Sequence, residues 1–199
     1  MEIKPVLMTT FTGFDVNPLN LKREDIDVRD IAHALALCSR FAGHSRFPIS
    51  VAQHSVGVSL LAGAVASHRE ALQGLFHDGS EAYLGDMTKW VKSSPEMSGY
   101  RDAEHRAQTV VYTAFGLPII QADSVSQADR TMVRLEFEIA FNRGQVIKNY
   151  GALNRHEYKK AVDEVLIPSG LWRPHMTWEE AETAFLVRWR DLNRDTTMF

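Results

Sequence analysis

Apolar positions recur at helical spacing along most of this chain, after a short opening stretch whose composition suits strands. Val6 to Phe11 and Phe14 to Val16, rich in β-branched and aromatic residues, flank the turn-prone pair Thr12-Gly13 and predict a small β-hairpin. Further on, three segments place a hydroxyl acceptor three residues ahead of a side chain that can reach back: Ser50-Val-Ala-Gln53, Ser67-His-Arg-Glu70 and Thr177-Trp-Glu-Glu180. Each predicts a helix start. With Gly116-Leu-Pro118 and Pro168-Ser-Gly170 as breaks, the pattern predicts helices near 28–41, 51–66, 68–77, 97–115, 122–142, 154–166 and 178–191. The expected fold is all-α, a helical bundle with a small N-terminal β-hairpin. No internal repeat or low-complexity linker divides the chain, so one domain is expected over residues 1–199.

The helical phase puts several polar side chains on apolar faces. In 51–66 the stripe Val51, Val58, Leu61, Ala62 and Val65 includes His54, and in 122–142 the stripe Val125, Met132, Val133 and Ala140 includes Asp129. Glu136 shares that second stripe, so periodicity does not separate the two acids. His77-Asp78 closes a third helix whose inward side is Leu72, Leu75 and Phe76. An adjacent imidazole and carboxylate fill a core poorly, because each needs a partner once desolvated, but they suit a divalent cation. Three helices are therefore expected to converge His54, His77, Asp78 and Asp129 on one metal ion. The bland alternative is a buried salt-bridged cluster, which is costly to keep. A lone histidine on an apolar face is usually a satisfied core residue, and His33, His68, His105, His156 and His175 are read that way. Cys38, Trp172, Trp178 and Trp189 are read as packing.

Composition narrows the ligand. The chain has 199 residues, 45% hydrophobic and 24% charged, enough to bury a sizeable core. A formal charge of -3 gives no global attraction to nucleic acid, so a small anion held by local Lys, Arg or metal charge is expected rather than a long polyanion. The single cysteine and an opening MEIKPVLMTTF without a secretion-signal pattern point to the cytoplasm. The longest apolar stretch, Val56 to Ala66, is interrupted by Gly57, Ser59 and Gly63 and falls short of the roughly 20 residues a membrane span needs. No membrane partner is expected. Two imidazoles and two carboxylates without thiolate suit Mn, Fe, Co, Ni or Zn, with Mg as an accessory ion.

The order His54, His77-Asp78, Asp129 resembles the H…HD…D signature of the HD-domain phosphohydrolases, an all-α superfamily that holds a divalent metal with those four side chains. Arg40-Phe-Ala-Gly-His44, Ser50-Val-Ala-Gln-His-Ser55 and His77-Asp-Gly-Ser-Glu-Ala-Tyr-Leu-Gly-Asp86 are similar to the branch holding bacterial 5'-deoxynucleotidases and phage dATP triphosphohydrolases. The opening Asn17-Pro-Leu…Glu24-Asp-Ile-Asp27…Asp30-Ile-Ala-His-Ala34 looks closer to the triphosphohydrolase members. Together these segments cover residues 17–142.

The resemblance implies a metal-dependent phosphohydrolase acting on deoxynucleotides, a dNTP triphosphohydrolase first and a 5'-deoxynucleotidase as the alternative. Because both cleave at the α-phosphorus, the metal core alone does not distinguish them. Glu81, about one helical turn past His77-Asp78, is implied to orient or deprotonate the attacking water, with Asp78 and Asp86 completing the catalytic set. Lys92 matches the family's phosphate-binding lysine, and Lys89 and Arg46 are nearby candidates. Asp86 is expected either to hold a second metal or to orient Lys92. Arg40-Phe41 matches an Arg-aromatic pair near the nucleotide, and Gly43 would leave space beside the base. Packing at a helix end is the competing role for Phe41. Where relatives commonly read Gly-Asp-Leu-Pro-x-Pro-x-Lys, this chain has Gly85-Asp-Met-Thr-Lys-Trp-Val-Lys92, which puts base specificity in doubt and leaves Trp90 to stack on a base or to pack. An alarmone hydrolase is disfavoured by Ala82, where that group carries an acid, and a cyclic-dinucleotide hydrolase by the missing Gly-Tyr-Pro. A catalytically silent nucleotide-binding module is the remaining reading. Relatives in the superfamily commonly assemble, which implies a homo-oligomer, and the amphipathic segment 178–191 is expected to dock on its own core or on a neighbour.

Overall fold

The computed structural model describes residues 7–141 and 156–194. The fold is all-α with a small N-terminal hairpin, β1 (Met8–Thr9) paired antiparallel with β2 (Asp15–Val16) in the register Met8 to Val16 and Thr9 to Asp15. The hairpin forms where expected, though each strand is only two residues long; Val6, at the start of the predicted one, lies outside the described residues. The helices follow as α1 (Val28–Leu37), α2 (Val51–Val65), α3 (His68–Leu75), α4 (Glu81–Leu84), α5 (Lys89–Lys92), α6 (Ser98–Ala114), α7 (Asp123–Phe141), α8 (His156–Ala161) and α9 (Trp178–Arg194), with a π-helical turn Val162–Leu166 after α8. Residues 154 and 155 of the predicted helix 154–166 lie outside the described residues.

The three expected helix starts are capped as their sequences dictate. Ser50 accepts from the Gln53 N–H at 3.1 Å, Ser67 from Glu70 at 3.2 Å and Thr177 from Glu180 at 3.3 Å. Of the three, the reach back to the cap backbone is made by Glu180, which accepts from the Thr177 N–H at 2.8 Å. Gln53 turns away and donates to the Arg173 carbonyl at 2.6 Å, tying α2 to the chain ahead of α9.

Helix α2 runs through the middle of the bundle, in contact with α1, α3, α7, α8 and α9, and every residue from Val51 to Ala62 is buried. Its environment is apolar all round, as a central helix requires, rather than on one stripe. Small residues let neighbours come close. Gly74 of α3 lies against α2 so tightly that a Cβ there would sit 3.3 Å from Ser59 Cα and from the Val58 side chain. That approach sets the distance between the C-terminal end of α3, which leads into His77, and the α2 residue His54. Helix α9 docks on this chain's own core through Ala181, Ala184, Phe185 and Leu192, against α1, α2 and α3. Its Arg188 donates to Ser59 Oγ at 3.0 Å, and Phe185 meets Phe76 edge-on.

Two expectations need correction. The helix predicted over 28–41 ends at Leu37, because Cys38 and Ser39 are extended and Ser39 bridges to Ser50. Phe41 (φ 58°, ψ 25°) and Ala42 (φ 50°, ψ 32°) then adopt left-handed conformations, and Gly43 follows at φ 74°. For the two residues that carry a Cβ, this costs about 1–2 kcal/mol each. The turn is held from outside: Arg40 N–H donates to the Ile49 carbonyl at 2.8 Å and Arg46 N–H to the Ala140 carbonyl at 3.1 Å. The second correction concerns Trp178, read as packing but 43% exposed, with its ring edge-on to His33. Trp172 is buried and Trp189 half-buried, as expected.

Candidate functional site

His54, from the second turn of α2, and His77, in the turn after α3, face each other with ring centroids 5.2 Å apart. His77 Nδ1 lies 2.8 Å from the Gly74 carbonyl, which can only accept, so that nitrogen carries the proton. His54 Nδ1 lies 2.9 Å from Glu136 Oε1 and donates likewise. Both Nε2 atoms are therefore left facing inward, and both are buried without a hydrogen bond. Asp78 and Asp129 supply the carboxylates opposite them. His77 Nε2 is 3.1 Å from Asp78 Oδ2 and 4.0 Å from Asp129 Oδ1; His54 Nε2 is 3.1 Å from Asp129 Oδ1 and 3.9 Å from Asp78 Oδ2. Donor atoms each about 2.1 Å from one ion sit about 3 to 4.2 Å apart. The four separations fall in that range. Among the described residues, His54, His77 and Asp129 form the group whose ligand atoms all lie within 4.8 Å of one another; Asp78, close to both imidazoles, stands outside it.

The electrostatics also suit a cation. Burial and Arg40 oppose a charged His54, yet Glu136 and Asp129 outweigh them and push its pKa up to about 9. Burial opposes ionisation of Asp78 too, but His77, His54 and Arg40 hold its carboxyl well below the ordinary range. Asp129 is likewise lowered, chiefly by His54 working against desolvation. These shifts describe a cluster with an excess of negative charge, which a proton on His54 or a bound cation would each offset.

Beside the cluster lies a cavity of about 470 Å³ lined by Arg40, Phe41, Asp78, Asp86, Met87, Thr88, Lys89, Trp90, Lys92, Asp129, Arg130 and Val133. Asp129, on the same helix face as the fully buried Glu136, has a side chain 36% exposed because this end of α7 opens into the cavity. Trp90 is 67% exposed on the rim. Phe41 packs edge-on to Phe137 and Phe141, the packing role weighed for it, and its remaining surface lines the cavity. Gly43 and Arg46 are exposed and are not among the lining residues.

Behind Asp78 is a smaller cavity of about 240 Å³, where Glu81 sits with Ser80, Lys92, Arg101 and Glu104. Glu81 is buried and its Oε2 has no hydrogen-bond partner. Desolvation, with Asp78 and Asp86 nearby, pushes its carboxyl well above the ordinary range. Asp86 is raised by burial, and it makes no ion pair with Lys92. That lysine is instead 2.5 Å from Glu104 Oε1 and 3.9 Å from Glu81 Oε1. Helix α6 carries this support: Arg101 donates to the Lys92 and Ser94 carbonyls at 2.7 Å each, and Tyr100 to the Gly85 carbonyl at 2.9 Å. Periodicity gave no sign of Glu104, Arg101 or Arg130. Glu136 was visible only as a second acid on the Asp129 stripe.

Of the histidines read as structural, His33 pairs with Glu182 and stacks on Phe11, His68 bonds the Leu192 carbonyl, and His175 lies over Phe47. His105 is exposed at the smaller cavity, and the side chain of His156 lies outside the described residues. Cys38 is half-buried against the core.

Fold and site together define an all-α protein with a two-histidine, two-carboxylate cluster at the foot of a cleft with cationic walls. Its sequence is 32% identical over 127 residues to the uncharacterized protein YfdR of Escherichia coli, covering 64% of this chain and 68% of that one. It is 36% identical over 123 residues to the uncharacterized protein RCAP_rcc00048 of Rhodobacter capsulatus, covering 57% of this chain and 62% of that one. The chain belongs to the family of YfdR. No family model matches it.

Proposed function

We propose that this protein is a divalent-metal-dependent phosphohydrolase of the HD-domain type, hydrolysing a deoxynucleoside triphosphate at its α-phosphorus to release deoxynucleoside and triphosphate. The observation that carries the reading is the convergence of the His54, His77 and Asp129 donor atoms, with Asp78 close to both imidazoles, beside a cavity that also holds Arg40, Lys89, Lys92 and Arg130. His54, His77, Asp78 and Asp129 would hold the ion, which when bound supplies Lewis acidity toward a phosphoryl oxygen and makes water a nucleophile at neutral pH. Glu81 Oε2, buried and unpartnered, takes the proton of the attacking water. Arg40 faces the phosphoryl oxygens from the cavity wall, and Lys89 and Arg130 supply charge for a phosphate tail. Trp90, exposed at the rim, offers a face for the base. A cytoplasmic homo-oligomer is part of the same reading, since a soluble nucleotide pool is the substrate it needs.

One observation favours a second reading. Lys92 is engaged by Glu104 and Glu81, which leaves less free positive charge beyond the α-phosphate and suits a 5'-deoxynucleotidase acting on a monophosphate. Chromatography of products from dATP and dAMP with Mn or Co separates the two. Deoxyadenosine and triphosphate from dATP support the first reading, and phosphate from dAMP alone supports the second. Release of dADP or pyrophosphate from dATP overturns both.

A further inference from the structure

Glu136 is a fully buried acid one helical stretch beyond Asp129 on α7, and both of its oxygens are used. Oε1 accepts from His54 Nδ1 at 2.9 Å, and Oε2 accepts from Arg40 Nε at 3.1 Å. A buried carboxylate is costly unless it is paired and hydrogen-bonded, and Arg40 provides the pair. The same arginine has Nη1 3.7 Å from Asp78 Oδ2 and lines the main cavity. We propose that Glu136 is the positioning residue of this site, fixing the His54 ring with Nε2 toward the cation centre and the Arg40 fork toward the cavity through one carboxylate. The inference rests on the cation reading of the cluster. A carboxylate behind a ligating imidazole fixes its ring orientation and raises its basicity, and losing one typically costs 10- to 100-fold in metal affinity.

The test is Co(II) binding to metal-stripped protein, followed by calorimetry and visible absorption, with thermal unfolding of the metal-free form as the fold check. Glu136→Gln keeps the shape but presents an amide N–H where a carboxylate oxygen accepted. It is expected to bind Co(II) 10- to 100-fold more weakly with a shifted Co(II) spectrum. Glu138→Gln, on the exposed face and paired with Arg134, is expected to match the unsubstituted protein. Should Glu136→Gln fail to fold, Arg40→Met/Glu136→Met removes the whole buried ion pair, a change that proteins often tolerate. The same loss of affinity is expected there. Unchanged Co(II) affinity in a folded Glu136 variant overturns the positioning role and leaves the cation site standing. Failure of the unsubstituted protein to bind Co(II) overturns both.

Discussion

Asp78 and Glu81 stand three residues apart and are assigned different work, which makes them separable by substitution. Asp78 Oδ2 lies 3.1 Å from His77 Nε2 at the proposed cation centre, whereas Glu81 lies behind it with an unpartnered, buried oxygen. Asp78→Ala is expected to lose both bound metal and activity. Glu81→Ala should keep metal while the turnover rate falls by roughly 10²- to 10⁴-fold, the usual worth of a positioned general base. Metal content by mass spectrometry beside turnover distinguishes the two; equal activity in either variant counts against its role. At this scale the clustered side chains were readable, because His54, His77, Asp78 and Asp129 are chemically conspicuous on or beside apolar faces. Their supports were not. Glu104 and Arg101 are ordinary charged residues on a helix surface, and Glu136 is one of two acids on an apolar stripe, until tertiary contacts say which neighbour each one meets.

Longer elements were legible because burial imposes the 3.6-residue period, and capping chemistry marked the starts of α2, α3 and α9. Four-residue pieces escape that logic. Helices α4 and α5 carry Glu81, Lys89, Trp90 and Lys92, but one turn is too short to show a period. The early end of α1 was hidden for a different reason: no glycine or proline precedes it, and the left-handed turn at Phe41-Ala42 is imposed by the contacts that bring Arg40 inward to Glu136. The contact between α2 and α3 gives a sharper prediction. Gly74→Ala would press a methyl group against the α2 backbone at Ser59, which has little room to yield, and is expected to cost about 1–3 kcal/mol. Because the Gly74 carbonyl also holds His77 Nδ1, the variant should bind Co(II) more weakly as well. Urea unfolding and metal titration measure the two effects, and a variant as stable as its parent would show that α2 and α3 tolerate the separation.

For the whole molecule, a cluster that draws side chains from α2, α7 and the turn after α3 brings three parts of the bundle together, and a cation held there would tie them. A cation bound by the folded chain and not by the unfolded one is expected to raise stability by about 2.7 kcal/mol at a hundredfold excess over Kd. In a domain of this size that corresponds to roughly 5–10 °C in Tm. Thermal unfolding with Mn or Co, then after chelation, tests it, and a Tm indifferent to both ions contradicts the cation site. The general architecture followed from the distribution of apolar residues, yet the position of the cleft did not, since it depends on where α5 and α7 leave space rather than on what either one buries. His54 has no exposed surface, and the cluster meets open space on two sides, at the main cavity past Asp78 and Asp129 and at the smaller one past His77 and Asp78. On the proposed reading, ion exchange and ligand entry therefore need not share a doorway. If the proposed nucleotide fills the main cavity, the smaller one stays open behind it, and a chelator in the surrounding solution is expected to strip the metal even while substrate is held.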